Sequence, residues 1–190
     1  TTPIDQPTIV TSGVLLVTNT KPAIRGLSTD FLTVPSSTAT FKFLHDGTDS
    51  MVVAVTKVIA TNNPIVRTMT TQSTSSVGYW GGENSSNRLQ SNVSNGGGVA
   101  YSVSNITAGS YTTTGNQILF VDEIDANNAT ASNRSSIYMN GGTAVKNNVA
   151  NTAPSSANSS NDLQVITGGT QEFQEVLIFD SRPNLTTLRS

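Results

Sequence analysis

Met51-Val52-Val53-Ala54-Val55-Thr56-Lys57-Val58-Ile59 is the stretch from which the fold is read. Six of its nine residues are β-branched, a composition that suits a pleated strand and costs side-chain freedom in a helix. Read with a period of two, Met51, Val53 and Val55 share one face, the signature of a half-buried antiparallel strand. The run is too short for a membrane-spanning helix, and no other apolar run in the chain approaches the length required.

Outward from this stretch the same pattern repeats. Short apolar runs over 13–18, 38–44, 65–70, 99–103, 117–122, 135–140, 163–166 and 173–179 read as further strands. Asp46-Gly47 reads as a hairpin loop, and the Gly pairs at 81–82, 141–142 and 168–169 and the triplet at 96–98 mark turns. Asn140-Gly141 is a turn pair because both residues tolerate positive φ. No long helical stripe is present; at most the end of the chain forms one turn around Leu185 and Leu188. The expected fold is all-β, an antiparallel two-sheet sandwich. Residues 1–22 form an N-terminal extension with the first strand, and 23–190 form a single domain. The segments 71–95 and 147–161 are polar and resist a strand assignment, so both are expected to be long surface loops.

Composition narrows the function. Ser, Thr and Asn supply 71 of 190 residues, while charged residues are 12% and the net charge is −2. Leu, Ile, Val and Phe still number 46, enough for a core. Ten Lys and Arg spread along the chain do not make a nucleic-acid clamp. With no cysteine, thiolate and disulfide chemistry are excluded, and the single histidine, His45, excludes a site needing two imidazoles. The start of the chain lacks the basic and long apolar regions of a signal peptide.

Ile118-Leu119-Phe120-Val121, then Arg134-Ser135-Ser136-Ile137-Tyr138-Met139-Asn140-Gly141-Gly142, then Gln174-Glu175-Val176-Leu177-Ile178-Phe179-Asp180 resemble, in order and spacing, the concanavalin A-like lectin/glucanase superfamily in its laminin-G-like branch. Asp30-Phe31-Leu32-Thr33-Val34 is similar to an early strand of that family. The tail resembles its closing segment, with Pro183 and Asn184 standing between Arg182 and Leu185. The resemblance implies a jelly roll, concanavalin A-like, over about residues 23–188.

Three chemistries are open to these residues. The glucanase branch carries Glu-x-Asp-x-x-Glu on a strand; here Glu123 and Asp125 share a strand face, but Asn128 stands where that family has its acid/base Glu. An amide cannot donate and recover a proton, so no catalytic residue is expected and the chain reads as non-enzymatic. Asp46 with Asp49, and Asp122 with Glu123 and Asp125, are the candidate ligands for a Ca²⁺ ion, without EF-hand spacing. Tyr79, Trp80, Glu83 and Asn84 combine aromatic rings with an amide and a carboxylate, the groups that hold a carbohydrate.

The expected role is a structural protein at a virion surface, most simply of a bacteriophage, as a capsid decoration, head fibre or tail accessory. Its partners would be capsid, fibre or tail proteins, copies of itself, and host glycans, with no nucleic acid and no membrane. The alternative is a carbohydrate-binding module of a secreted or cell-surface protein, placed extracellularly. Residues 1–10, with Pro3 and Pro7, read as an extended docking arm or a frayed terminus.

Overall fold

Branched side chains at half of its positions make Asp49–Val58 a ten-residue strand in the interior of its sheet. The structure is a computed structural model that describes residues 10–11, 13–18, 20–26, 30–58, 64–70, 75–84, 88–97, 100–106, 116–147, 153–165 and 171–183. Numbered along the chain, its strands are β1 (Val10–Thr11), β2 (Val14–Leu15), β3 (Val17–Thr18), β4 (Lys21–Pro22), β5 (Ile24–Gly26), β6 (Leu32–Val34), β7 (Asp49–Val58), β8 (Pro64–Arg67), β9 (Val77–Glu83), β10 (Leu89–Asn95), β11 (Ala100–Ile106), β12 (Gln117–Asp125), β13 (Ser135–Met139), β14 (Val145–Lys146), β15 (Leu163–Val165) and β16 (Gln171–Phe179).

Two six-stranded antiparallel sheets face each other. The first has the order β11-β10-β9-β8-β15-β6, the second β14-β13-β12-β7-β16-β5, and β1–β2 and β3–β4 are small ribbons beside them. This is the expected antiparallel sandwich. The first sheet sends Ile65, Val66, Tyr79, Leu89, Val93 and Leu163 into the core. The second sends Val52, Ala54, Ile118, Phe120, Ile124, Ile137 and Phe173, and Leu44 closes one end.

The central strand turns its other face inward. Met51, Val53 and Val55 do share a face, but it is the outer one, and Ser50, Val52, Ala54 and Thr56 look into the sandwich. Alternation defines the two faces without ranking them when both are apolar. Pairing decides: Ala54 lies between Phe120 and Val176, and its small side chain leaves room for the buried phenyl ring.

One polar cluster crosses the interior. Tyr79 Oη of β9 donates to Asp122 Oδ2 of β12 (2.8 Å), and Ser135 Oγ donates to Asp122 Oδ1 (3.1 Å), with both residues of the cross-sheet pair fully buried. Burial pushes the Asp122 carboxyl up to about 7, against the hydrogen bonds from Ser91, Tyr79 and Ser135 that favour its charged form. Burial and the neighbouring Asp122 also raise the Tyr79 phenol well above its ordinary range. Gly81 makes space for the tyrosine, since any Cβ there would meet the phenol ring.

Several expected elements differ. Residues 38–44 form turns ending in a 3-10 turn at Lys42–Leu44, because Phe41 and Phe43 pack on each other (ring centroids 5.8 Å apart) and against the core from a coiled backbone. Asp46-Gly47 therefore follows a 3-10 turn and does not join two strands. Residues 13–18 are split between β2 and β3. The polar stretch 71–95 holds β9 and β10: its Ser, Asn and Gly residues pair in register from Leu89↔Glu83 to Asn95↔Val77. Asn140-Gly141 is the expected turn, with φ of 53° and 71°. Its asparagine also extends the sheet, accepting from Leu119 N–H through Oδ1 (2.8 Å).

Within 147–161 the described residues are 147 and 153–161; they have no regular structure, and 153–161 is nonetheless held closely. Ser159 Oγ donates to Thr38 O (2.9 Å), Ser160 N–H to Val77 O (2.7 Å), Asn161 N–H to Thr68 O (3.0 Å), and Asn95 Nδ2 to Ala153 O (3.0 Å). His45, buried and with its pKa lowered by that burial, contacts Ala157 O from the same side (3.0 Å). The hydroxyls and amides of this strap satisfy backbone groups that a loop would otherwise leave open. The expectations for residues 1–9 and for the turn around Leu185 and Leu188 lie outside the described residues.

The β3–β4 ribbon is tied to β16. Gln174 Nε2 donates to Thr18 O (2.6 Å) and Lys21 O (3.2 Å), and the Thr18 hydroxyl donates to Glu172. Glu172 also pairs with Arg25 of β5 and lies 3.8 Å from Lys57 Nζ. Burial pulls the Glu172 carboxyl upward, but these donors and cations outweigh it and hold the group below its usual range.

Candidate functional site

Strand alternation separates the four residues expected to hold a sugar. Tyr79 and Glu83 lie on the inner face of β9 and are buried, the tyrosine bonded to Asp122. Trp80 lies on the outer face, between Arg67 and Asn92 of the neighbouring strands, and is itself only 2% exposed. Asn84 shapes the β9–β10 hairpin: its Nδ2 donates to Gln90 Oε1 (2.8 Å) and its Oδ1 accepts from Arg88 N–H (3.2 Å). Consecutive residues of a strand point to opposite faces, so Tyr79 and Trp80 cannot form one platform.

The candidate calcium ligands do not all come together. Asp122 points into the core while Glu123 and Asp125 point out from the same strand. Asp46 Oδ1 accepts from Thr48 N–H (3.0 Å) within its own turn. Among the described residues no group of three or more Asp, Glu or His side chains is arranged to hold a metal ion. The residues present do not fit a Ca²⁺ ion, which requires six to eight oxygens around one point.

What the structure does assemble is a cluster on the outer face of the second sheet. The register Asp125↔Asp49 and Glu123↔Met51↔Phe179 brings Asp49, Glu123 and Asp125 to one end of β7 and β12. Arg182, just past the end of β16, reaches into them. Its Nε pairs with Asp49, its Nη1 lies 3.8 Å from Glu123 Oε2, and its Nη2 lies 3.8 Å from Asp125 Oδ2. Tyr138 of β13 donates its hydroxyl to Glu123 Oε2 (3.1 Å). Partial burial and the Glu123 charge raise its phenol above the ordinary range. Sequence reading missed Tyr138 and Arg182 as members, because both join through pairing register and not through a local motif.

Beside this cluster the same face is apolar and open. Val121, Val53 and Leu177 lie in one row across three strands, with Leu119 and Val55 in the next. Leu177 is 42% exposed and Leu119 38%. Chemically the face offers carboxylate acceptors, guanidinium donors and a phenol beside an apolar floor. At its edge Asn128, which stands where the sequence analysis sought a third carboxyl group, donates its amide to Asp125 Oδ2 (2.7 Å).

No family model matches the sequence, and no curated protein matches it. Among solved structures the chain is similar to the CBM40 of the Ruminococcus gnavus IT-sialidase, with a TM-score of 0.60 and 10% identity over 88% of this chain and 95% of that one. It is equally similar to that module bound to α2,3-sialyllactose, with a TM-score of 0.59 and 11% identity over 88% and 94%. It is also similar to the botulinum neurotoxin serotype C1 binding domain, with a TM-score of 0.54 and 11% identity over 97% of this chain and 51% of that one. The chain thus spans about half the length of the neurotoxin domain. At these identities the likeness is one of fold: the chain is a jelly-roll-like antiparallel β-sandwich, built as those carbohydrate-binding modules are.

Proposed function

We propose that the chain is a non-catalytic glycan-binding module that acts through the outer face of its second sheet. The observation that carries this reading is the convergence of Asp49, Glu123, Asp125 and Tyr138 on Arg182 beside the open apolar row of Val121, Val53 and Leu177. A sugar ring has one apolar face and a rim of hydroxyls that both donate and accept. Carboxylates answer the donors, the guanidinium and phenol answer the acceptors, and the branched side chains receive the apolar face. The fold likeness to carbohydrate-binding modules supports the same reading. So does the absence of a carboxylic acid at position 128, which leaves binding without hydrolysis.

Wild-type protein is expected to label a subset of a glycan array. Arg182→Ala and Tyr138→Ala are expected to weaken that binding by about tenfold each, the loss of one or two charge-assisted or aromatic contacts. Thermal unfolding should change little, because both residues are at the surface. A silent array, or binding untouched by both substitutions, rejects the reading. Release of reducing ends from polysaccharides would reject its non-catalytic part.

A virion surface, with capsid, fibre or tail proteins and further copies as partners, is the second setting for such a module. The strap 153–161 favours it, being a neutral, hydroxyl- and amide-rich loop held rigidly for display. Purified particles that lack the protein would exclude this setting and leave an extracellular one.

A further inference from the structure

The outer face of the first sheet carries a different chemistry. Pairing places Asn92, Trp80, Arg67, Gln164 and Thr33 in one row across β10, β9, β8, β15 and β6. Arg67, half-buried, is fixed at two points. Its Nε donates to Gln164 Oε1 (2.7 Å) and its Nη1 donates to Thr70 O (2.8 Å). Its Nη2 donates to nothing among the described residues, and no carboxylate there pairs with it. Burial alone moves this guanidinium's pKa downward, with no compensating charge against it. A guanidinium withdrawn from water without a counter-ion is costly, and proteins normally supply the partner.

The neighbours of Arg67 on the open side are donors as well. Gln164 must turn its Oε1 to the arginine, which leaves its amide N–H₂ facing away and unused among the described residues. Thr33, exposed at the end of the row, adds a hydroxyl. At the closed end Asn92 is 5% exposed and its Oδ1 has no hydrogen-bond partner. Asn92 and Trp80 are covered, so the open part of the row is its donor end, and fixed donors without an acceptor among them are complementary to an anionic oxygen group.

We propose that Arg67, Gln164 and Thr33 form a second site that receives the carboxylate or sulfate group of an acidic saccharide. The oxyanion site stands on the first sheet by itself; only the saccharide part rests on the glycan-binding reading. The interaction is charge-assisted and two-point, with Arg67 Nη2 and Gln164 Nε2 as the donors.

Titration of the full chain with sodium glucuronate and N-acetylglucosamine 6-sulfate, against glucose and N-acetylglucosamine, tests it by calorimetry or amide-resolved NMR. The acidic sugars are expected to bind about tenfold more tightly than their neutral parents and to weaken as salt is raised. The better of the two acids identifies the group. Arg67→Gln should remove the preference. Arg67→Lys, which keeps the charge but loses the fork held by Gln164 and Thr70, should retain only part of it. Equal binding of acidic and neutral sugars, or a preference that survives Arg67→Gln, overturns the proposal. A preference lost in Arg182→Ala and kept in Arg67→Gln also overturns it while leaving the glycan-binding reading intact. A preference intact in Arg182→Ala but lost in Arg67→Gln supports it even if the glycan array is silent.

Discussion

Gly81→Ala is expected to destabilise the domain by about 3 kcal/mol, the scale of overpacking at a site that cannot relax. In a chain of this size that lowers the unfolding midpoint by roughly 6–12 °C. Elsewhere the same exchange at a compatible backbone conformation would stabilise by a few tenths, because alanine loses less entropy on folding. Here the new methyl would overlap the Tyr79 hydroxyl and lie 2.7 Å from Cζ. The ring has no free direction. It is fully buried, and its hydroxyl is fixed by Asp122 across the sheets. Moving it breaks that bond and takes a donor from a buried carboxyl group.

The double variant isolates the cause. Tyr79→Phe alone removes one buried hydrogen bond and is expected to cost about 1 kcal/mol. In the Gly81→Ala background it also removes the atom in worst conflict, so the two losses should sum to less than their separate values by about 1 kcal/mol. Chemical denaturation of the four proteins gives the cycle. Gly81→Ala within 0.5 kcal/mol of wild type would mean that Tyr79 does not occupy the space above Gly81.

Asp122→Asn is expected to gain stability over wild type as the pH is raised. The folded carboxyl has a pKa of about 7, and the unfolded one titrates near 3.8. Between those values the folded chain holds a proton that the unfolded chain has released. Raising the pH through this window therefore destabilises wild type, by up to about 1.4 kcal/mol per pH unit, and the dependence ends above about pH 7. Asparagine has nearly the same shape, carries no charge and can still accept from Tyr79. The variant should be more stable than wild type by a few kcal/mol at pH 8, and the advantage should shrink toward pH 4 to 5. Taking the difference between the two proteins cancels other titrations. Among them is Glu172, whose lowered pKa adds stability above the ordinary range of a glutamate and loses it on acidification. A difference that stays constant from pH 5 to 8 would rule out a buried, proton-holding Asp122.

The same residues mark the limit of what a linear reading supplies. Met51 to Val58 announced a strand and a two-faced pattern, and Asn140-Gly141 announced a turn. Both are local properties, set by branching at Cβ and by tolerance of positive φ. The stretch 71–95 did not announce its two strands. Serine, asparagine and glycine have weak strand preference, and they form β9 and β10 because their backbones pair with neighbours on both sides. Tyr79 and Trp80 were legible as aromatic but not as opposed, since that inference needs the strand to be recognised first.

The candidate site divides along the same line. Glu123 and Asp125 sharing a face follows from a spacing of two within one strand. Their meeting with Asp49, Tyr138 and Arg182 requires the register of β7, β12 and β13 and the place where β16 ends, none of which any local pattern carries. The row containing Arg67 likewise comes from five strands that lie apart in the chain. By itself the sequence determined an all-β chain with enough branched and aromatic side chains for one core and a neutral, hydroxyl-rich surface. Only the tertiary structure decided which face of each strand is inside and which charges meet. The reason is physical: alternation fixes two faces for every strand, but burial of one of them is chosen by long-range pairing and packing, where a shift of one residue exchanges the faces.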